Sequence, residues 1–341
     1  MLKPVLIAGV AALALSATGA AFAQDPVALV IAQGGLGDQS YNDLAHQGFL
    51  AATEETGVEG RVLESRDVVA QGEQILRRAA ESDFGLVVDL EYAHGEVMEA
   101  VAPDYPDTDF VVLNQVREGD NITSVLFSEH EGSYLAGALA AMVTTNTDIP
   151  GINEDANIGV IGGTRSVGID KFLVGFVQGA RDINPDVQVQ VAYANTFGDP
   201  ATGQQMAEAM FENGADIVYQ VAGGTGLGVI QAAEAAGHYA IGVDTDQDGL
   251  APGHVLTSMI KRVDVAVADV VDAYAGGSLE GGQVRNYSLA DNGVGLSEMI
   301  HTRDLLPADY LARIDELRDG IIAGDIVVVN VIEDGYPDFF Q

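Results

Sequence analysis

The chain has 341 residues, 48% of them hydrophobic, and contains no cysteine. That composition excludes disulfides, thiol catalysis, cysteine-ligated metal and a lipid-modified cysteine near the start. Fifteen Lys and Arg face 51 Asp and Glu, a formal net charge of −36, and such a field repels nucleic acid, anionic lipid and polyanionic ligands.

The N-terminus has the form of an export signal. Met1-Leu2-Lys3 supplies a positive start, Pro4 to Ala20 is apolar and rich in small residues, and Ala21-Phe22-Ala23 is an A-x-A cleavage triplet. A signal peptide over 1–23 is therefore expected, leaving Gln24 as the new terminus. No other stretch is apolar enough to span a bilayer, so the exported chain is expected to be soluble in the periplasm, not lipid-anchored.

The length suits two domains. Apolar β-branched runs alternate with amphipathic helical segments throughout, the pattern of an α/β fold with parallel sheets. Strands are expected at 27–31, 61–63, 85–89, 110–114 and 122–126, then at 157–161, 187–193, 215–219, 240–244 and 255–259. Helices are expected over 42–56, 71–81 and 95–102, and over 169–182, 202–213 and 227–236. Most strands pair at an offset of roughly 130 residues, so Ile31 falls on Ile161, Gly85 on Ala215 and Asn114 on Asp244. Two similar lobes follow. Ser128-Glu-His-Glu131 reads as a capping box opening a helix of the second lobe, and a helix over 263–274 is expected to cross back to the first. The expected division is 24–128 plus 262–289 for lobe 1, and 129–261 plus 290–341 for lobe 2. A chain crossing more than once makes a hinge.

In open parallel sheets ligands bind beyond the carboxyl ends of the strands. Here those ends run into Gly34 to Asn42, Asp89 to His94, Asn114, Gly162 to Gly168, Gly223 to Gly226 and Asp244, segments rich in glycine and polar side chains. Enzyme motifs fail on inspection. Gly35-Leu-Gly37 has Ser40 where a dinucleotide fingerprint needs its third glycine, and Gly223 to Gly228 lacks the Lys of a P-loop. Asp244-Thr-Asp-Gln-Asp-Gly249 imitates a calcium loop but has Val255 where a bidentate Glu belongs. The six histidines show no metal or nucleophile spacing and read as surface or capping residues. No catalysis, cofactor or metal is expected.

Lys171 and Lys261 are the only lysines beyond the signal. Lys261 ends a strand at a predicted lobe crossing, near the strand-end carboxylate Asp244, and an Asp that accepts beside a Lys that donates suits paired hydroxyls such as a ribose diol. Tyr41, Tyr92, Phe197 and Tyr219 are candidates to stack on a flat ring.

Five segments together carry a resemblance: Gly37-Asp-Gln-Ser-Tyr-Asn42, Glu129 to Gly137, Ala222 to Ile230 (which includes Gly224), Gly242 to Gln247, and Lys261-Arg-Val-Asp264. The chain resembles the basic membrane protein family, the purine nucleoside receptor A-like group of ABC transporter substrate-binding proteins. The resemblance implies a type I periplasmic-binding fold, two Rossmann-like lobes closing on a nucleoside, and delivery to an ABC permease with its ATPase; a receptor for a sugar or signalling molecule on the same scaffold is the alternative, and a nucleoside-processing enzyme the remote one. A monomer is expected. It places Tyr41 and Asn42 after the first strand, in a segment where Asp38 is a further candidate, Phe197 on a second-lobe cleft loop, and Asp244 with Lys261 on the ribose. Where the family usually has an acidic base-reading residue this chain has Asn114, expected to face the ligand end opposite Asp244. Many relatives are lipoproteins, whereas this chain has no cysteine.

Overall fold

The computed structural model describes residues 24–340; the expected signal peptide, 1–23, lies outside them. The first sheet is built from β1 (Val27–Val30), β2 (Gly60–Leu63), β3 (Leu86–Asp89), β4 (Asp109–Leu113), β5 (Ile122–Phe127) and β11 (Val284–Tyr287), in the order β2-β1-β3-β4-β5-β11. All of its pairings are parallel. The second repeats that order with β6 (Asn157–Gly162), β7 (Gln188–Tyr193), β8 (Ile217–Val221), β9 (Tyr239–Asp244), β10 (Val255–Lys261) and β12 (Val294–Leu296), as β7-β6-β8-β9-β10-β12. Only its last pairing, β10 with β12, is antiparallel.

Helices cover both faces. α1 (Tyr41–Thr56), α2 (Gly72–Glu81) and α3 (Gly95–Val101) belong to the first half, and α4 (Glu129–Val143), α5 (Val167–Ile183), α6 (Pro200–Glu212) and α7 (Gly226–Ala236) follow. α8 (Val263–Ala275), α9 (Ala308–Ala323) and a short α10 (Val331–Asp334) complete the chain. The central strands read as continuous apolar runs because helices bury both of their faces: β1, β3, β8 and β9 are buried throughout. α4 is buried on nearly every side. Glycine lets α5 approach it, since a Cβ at Gly175 or Gly179 would collide with the α4 backbone at His130 or Tyr134.

The chain changes sheets three times, between β5 and α4, between β10 and α8, and between β11 and β12. After β10 of the second sheet, α8 packs against α1 of the first half. Two expectations are corrected here. Ser128 precedes α4 as its N-cap residue but caps nothing with its side chain. Its hydroxyl accepts from Asn286 Nδ2 at 3.3 Å, and the Glu131 carboxylate accepts from the Leu289 amide at 3.0 Å. Both therefore fasten the third crossing to the start of α4. His94 is no surface residue. It is fully buried, with Nδ1 2.7 Å from Asp89 Oδ2 and Nε2 2.7 Å from the Val68 carbonyl. The Val68 carbonyl only accepts, so Nε2 carries hydrogen, and Nδ1 shares a hydrogen with the Asp89 carboxyl, which burial itself pushes up. Burial alone would lower its pKa, but Asp89 reverses that and holds it above the ordinary value.

Candidate functional site

The strand ends of both sheets converge on one cavity of about 280 Å³. From the first lobe come Gln33, Asp38, Tyr41 and Asn42 after β1, Glu91 and Tyr92 after β3, and Asn114 after β4. From the second come Thr164, Ser166 and Gly168 after β6, Phe197 after β7, Gly223 after β8, Asp244 at the end of β9 and Lys261 at the end of β10. Glu129 and Phe172, on α4 and α5, complete the lining. The lobes touch across the cavity rim: Gly34 leaves room for Phe197, and Gly168 for the ring of Tyr92.

Eight of the ten sequence-expected positions line this cavity: Asp38, Tyr41, Asn42, Tyr92, Asn114, Phe197, Asp244 and Lys261. Tyr219 does not. It is wholly buried in the second-lobe core, tilted against Phe176 with ring centroids 5.2 Å apart and its hydroxyl 3.2 Å from Ser133 Oγ. The β8 pleat turns it toward the α4–α5 layer, away from the cleft. Gly224 lies one residue past the lining Gly223, packed under Phe197 and Asp38.

Lining a cavity and being free to bind are different things. Asp38 accepts from the amides of Ser40, Asn42 and Asp43 and from Asn42 Nδ2. Asn42 in turn accepts from Ala32 N at 2.9 Å and donates to the Gln33 carbonyl at 3.2 Å. Both side chains hold the loop after β1 in shape. Glu91 likewise accepts from Gln33 N, Gln33 Nε2 and Ala93 N.

Asn114 and Asp244 have the same backbone conformation, with φ of 69° and 67°, a left-handed state that Asn and Asp tolerate better than most residues. Their side chains are engaged differently. Asn114 donates through Nδ2 to the Tyr41 hydroxyl at 2.9 Å and accepts at Oδ1 from Lys261 Nζ at 2.7 Å. Asp244 accepts from Ser40 Oγ at Oδ2, 2.5 Å away, and among the described residues no donor reaches Oδ1. Burial pushes the Asp244 carboxyl up to about 6, against the opposing pull of Lys261 and Ser40. Asn114, expected to face the ligand end opposite Asp244, is bonded instead to Lys261, the residue expected beside Asp244.

Sequence reasoning missed Glu129. Its carboxylate, 1% exposed, lies 2.5 Å from Lys171 Nζ and 2.9 Å from Lys261 Nζ. Burial would raise its pKa, but the two ammonium groups hold it down at about 2. Lys171 also donates to the Phe127 carbonyl at 2.9 Å. Lys261 is enclosed by the rings of Phe127, Tyr41 and Phe172, 4.7 to 5.5 Å from its Nζ. With Asn114 and Glu129 engaging two of its three donors, Lys261 has one N–H that no oxygen or nitrogen among the described residues takes up. The available signal was scarcity: two lysines among so many acids require a partner if buried, and Glu129 opens the helix at a lobe crossing.

The cavity thus offers a carboxylate oxygen and an ammonium N–H on one wall and the rings of Tyr92, Phe172 and Phe197 elsewhere. Comparison with known proteins agrees with a solute-binding design. The chain is 34% identical to a CD4+ T-cell-stimulating antigen of Listeria monocytogenes, covering 89% of this chain and 87% of that one. It is 31% identical to an ABC transporter nucleoside-binding protein, BmpA, of Lactococcus lactis, with 88% of each covered. A solved ABC transporter solute-binding protein from Aeropyrum pernix superposes with a TM-score of 0.81 at 28% identity, over 89% of this chain and 93% of that one. The PnrA-like ABC transporter substrate-binding pattern matches residues 26–330, and the chain belongs to that family.

Proposed function

We propose that this protein is the exported receptor of an ABC importer, that it captures a nucleoside between its lobes, and that it hands the ligand to a membrane permease driven by an ATPase. The observation that carries the reading is the pairing of Asp244 Oδ1, without a donor of its own, with the remaining N–H of Lys261 on one wall. A vicinal diol donates to the first and accepts from the second. Phe172, Phe197 and Tyr92 frame the space for a flat base. Asn114 and Tyr41 fix Lys261 in place. Asp38 and Asn42 shape the loop that contributes the first-lobe wall, and the Gly223–Gly224 turn does the same from the second. The nucleoside reading also draws on the Lactococcus relative, whose name states that activity.

Lobe 1 comprises 24–128 and 262–289, lobe 2 comprises 129–261 and 290–341, and closure turns about the three crossings. The protein performs no chemistry on its ligand: differential contacts in the closed state supply the free energy of closure. The test is calorimetric titration with ribonucleosides, their 2′-deoxy analogues and free pentoses, with product analysis by mass spectrometry. Ribonucleosides should bind, 2′-deoxynucleosides more weakly, and nothing should be converted. Binding of pentoses alone would replace the nucleoside with a sugar, and turnover would sink the receptor reading.

A further inference from the structure

Beside the cavity, the two lobes are joined by direct hydrogen bonds at the end of β9. The turn Gln39–Ser40, before α1 in the first lobe, meets the segment Val243 to Gln247 after β9 in the second. Ser40 Oγ lies 2.5 Å from Asp244 Oδ2, and Gln247 Nε2 donates to the Gln39 carbonyl at 2.9 Å. Neither bond is a rim contact, since Ser40 is 0% and Gln247 1% exposed.

The Gln247 side is a built receptor for that carbonyl. Its backbone N–H donates to Ser258 Oγ at 3.0 Å. Its Oε1 accepts from Gln220 Nε2 at 2.7 Å and from the Val243 amide at 3.1 Å. Those bonds fix which amide atom is nitrogen and aim it across the gap. Gly242 is part of the same arrangement, because a Cβ there would lie 2.7 Å from Gln247 Oε1. The Gln39 side is held at φ +50°, a left-handed conformation for a non-glycine residue. Such strain persists only where surrounding structure sustains it, and here the Gln39 carbonyl faces Gln247.

We propose that Ser40 and Gln247 form an interlobe latch, which biases the protein toward closure and holds Asp244 in its binding rotamer. Ser40 is a positioning residue that acts through Asp244 and does not touch the ligand. When the lobes part, Gln247 Nε2 and Asp244 Oδ2 must exchange these partners for water, so the latch adds to closure whatever ligand occupies the cavity. Hydrogen bonds of this number and burial shift a two-state equilibrium by roughly one order of magnitude. The inference does not depend on the ligand being a nucleoside.

Small-angle scattering of the ligand-free full chain, compared with Ser40→Ala and Gln247→Ala, gives a ligand-independent readout. Both variants should show a larger radius of gyration than the parent, and Ser40→Thr, which keeps the hydroxyl, should restore it. Stopped-flow measurements with guanosine, inosine, adenosine and cytidine form the second arm. For each nucleoside that binds, dissociation should accelerate about tenfold by the same factor, with rank order unchanged. Identical scattering from parent and variants overturns the latch. A changed rank order also overturns it, because Ser40 would then be contacting the ligand. If no nucleoside binds at all, the functional reading fails while the scattering still decides the latch.

Discussion

The fourth strands of the two lobes end alike and act differently. Asn114 and Asp244 occupy equivalent places in sheets of identical order, and their φ angles differ by only two degrees. Yet Asn114 is neutral with its amide engaged at both ends by Tyr41 and Lys261, whereas Asp244 is charged and leaves one oxygen open. The backbone is repeated while the side chains divide the work: Asn114 accepts from the cation and Asp244 presents the anion. Lys261 connects them, reaching from the end of β10 to Asn114 in the opposite lobe.

Removing the carboxylate behind Lys261 is the largest way to break this arrangement. Glu129→Gln leaves Lys171 and Lys261 buried without their shared counter-charge, and breaking a buried pair on one side costs about 3–5 kcal/mol. A fall of that size should appear as a lower urea midpoint. The exposed pair Arg61–Glu59, 2.7 Å apart, provides the contrast: Glu59→Gln should change stability by less than about 1 kcal/mol.

Next comes the anion. Asp244→Ala removes the acceptor proposed for the diol, and losing charge-assisted hydrogen bonds in a dry site should weaken ribonucleoside binding by about 2–4 kcal/mol. The preference for ribo- over 2′-deoxynucleosides should shrink with it. Equal calorimetric affinities of parent and variant would detach Asp244 from the ligand.

A smaller effect follows from its titration. Burial raises the Asp244 carboxyl to about 6 in the free protein. A ligand that donates to the carboxylate binds the ionised form, so affinity should be constant above that value and fall below it by up to about tenfold per pH unit. The raised pKa has the opposite consequence for folding. The folded state takes up this proton before the unfolded chain does, so Asp244 contributes stability as pH drops from about 6 toward the ordinary Asp value. Binding that weakens toward pH 5 in the parent and is flat in Asp244→Asn would match. A flat parent profile would place the titrating group elsewhere.

Much of the fold was legible because its signals are periodic and local. The ten expected strands form within a few residues of their expected limits, and the offset of roughly 130 residues announced the doubled sheet. The edge strands β11 and β12 escaped, being short and bordered by polar turns with no continuous apolar run. The site was legible in outline, since strand-end positions follow from topology. Its internal bonding was not. Nothing local in the sequence separates Tyr219, which the pleat turns into the core, from Tyr92, which lies at the cleft. Nor does spacing reveal that Ser128 and Glu131 reach residues more than 150 positions away. His94 and Glu129 were passed over for the same reason: each owes its charge state to partners the chain brings together only on folding.

The smallest predicted effect makes the two strand ends alike. In Asn114→Asp the Oδ1 position still faces Lys261, but the group at the other end no longer donates to Tyr41. The Tyr41 hydroxyl, which donates to the Leu90 carbonyl at 3.2 Å, must turn to the new carboxylate instead. Two neutral hydrogen bonds, Asn114 to Tyr41 and Tyr41 to Leu90, give way to one charge-assisted bond from Tyr41 to the carboxylate, and Lys261 gains an anion while already paired with Glu129. At pH 8 the affinity change should therefore stay within about 1 kcal/mol. The site, however, then holds five carboxylates, the new one with Asp38, Glu91, Glu129 and Asp244, against the ammonium groups of Lys171 and Lys261. The added negative charge makes Asp244 harder to ionise, so the midpoint of the pH–affinity profile should move upward from about 6. Because the Asn114 amide is engaged within the protein, the order of guanosine, inosine, adenosine and cytidine should not change. Calorimetric titration of both proteins between pH 5 and 8 measures the two quantities together. A reordered panel with an unmoved midpoint would mean that Asn114 turns from Lys261 to read the base, and the division of labour between the lobes would have to be redrawn.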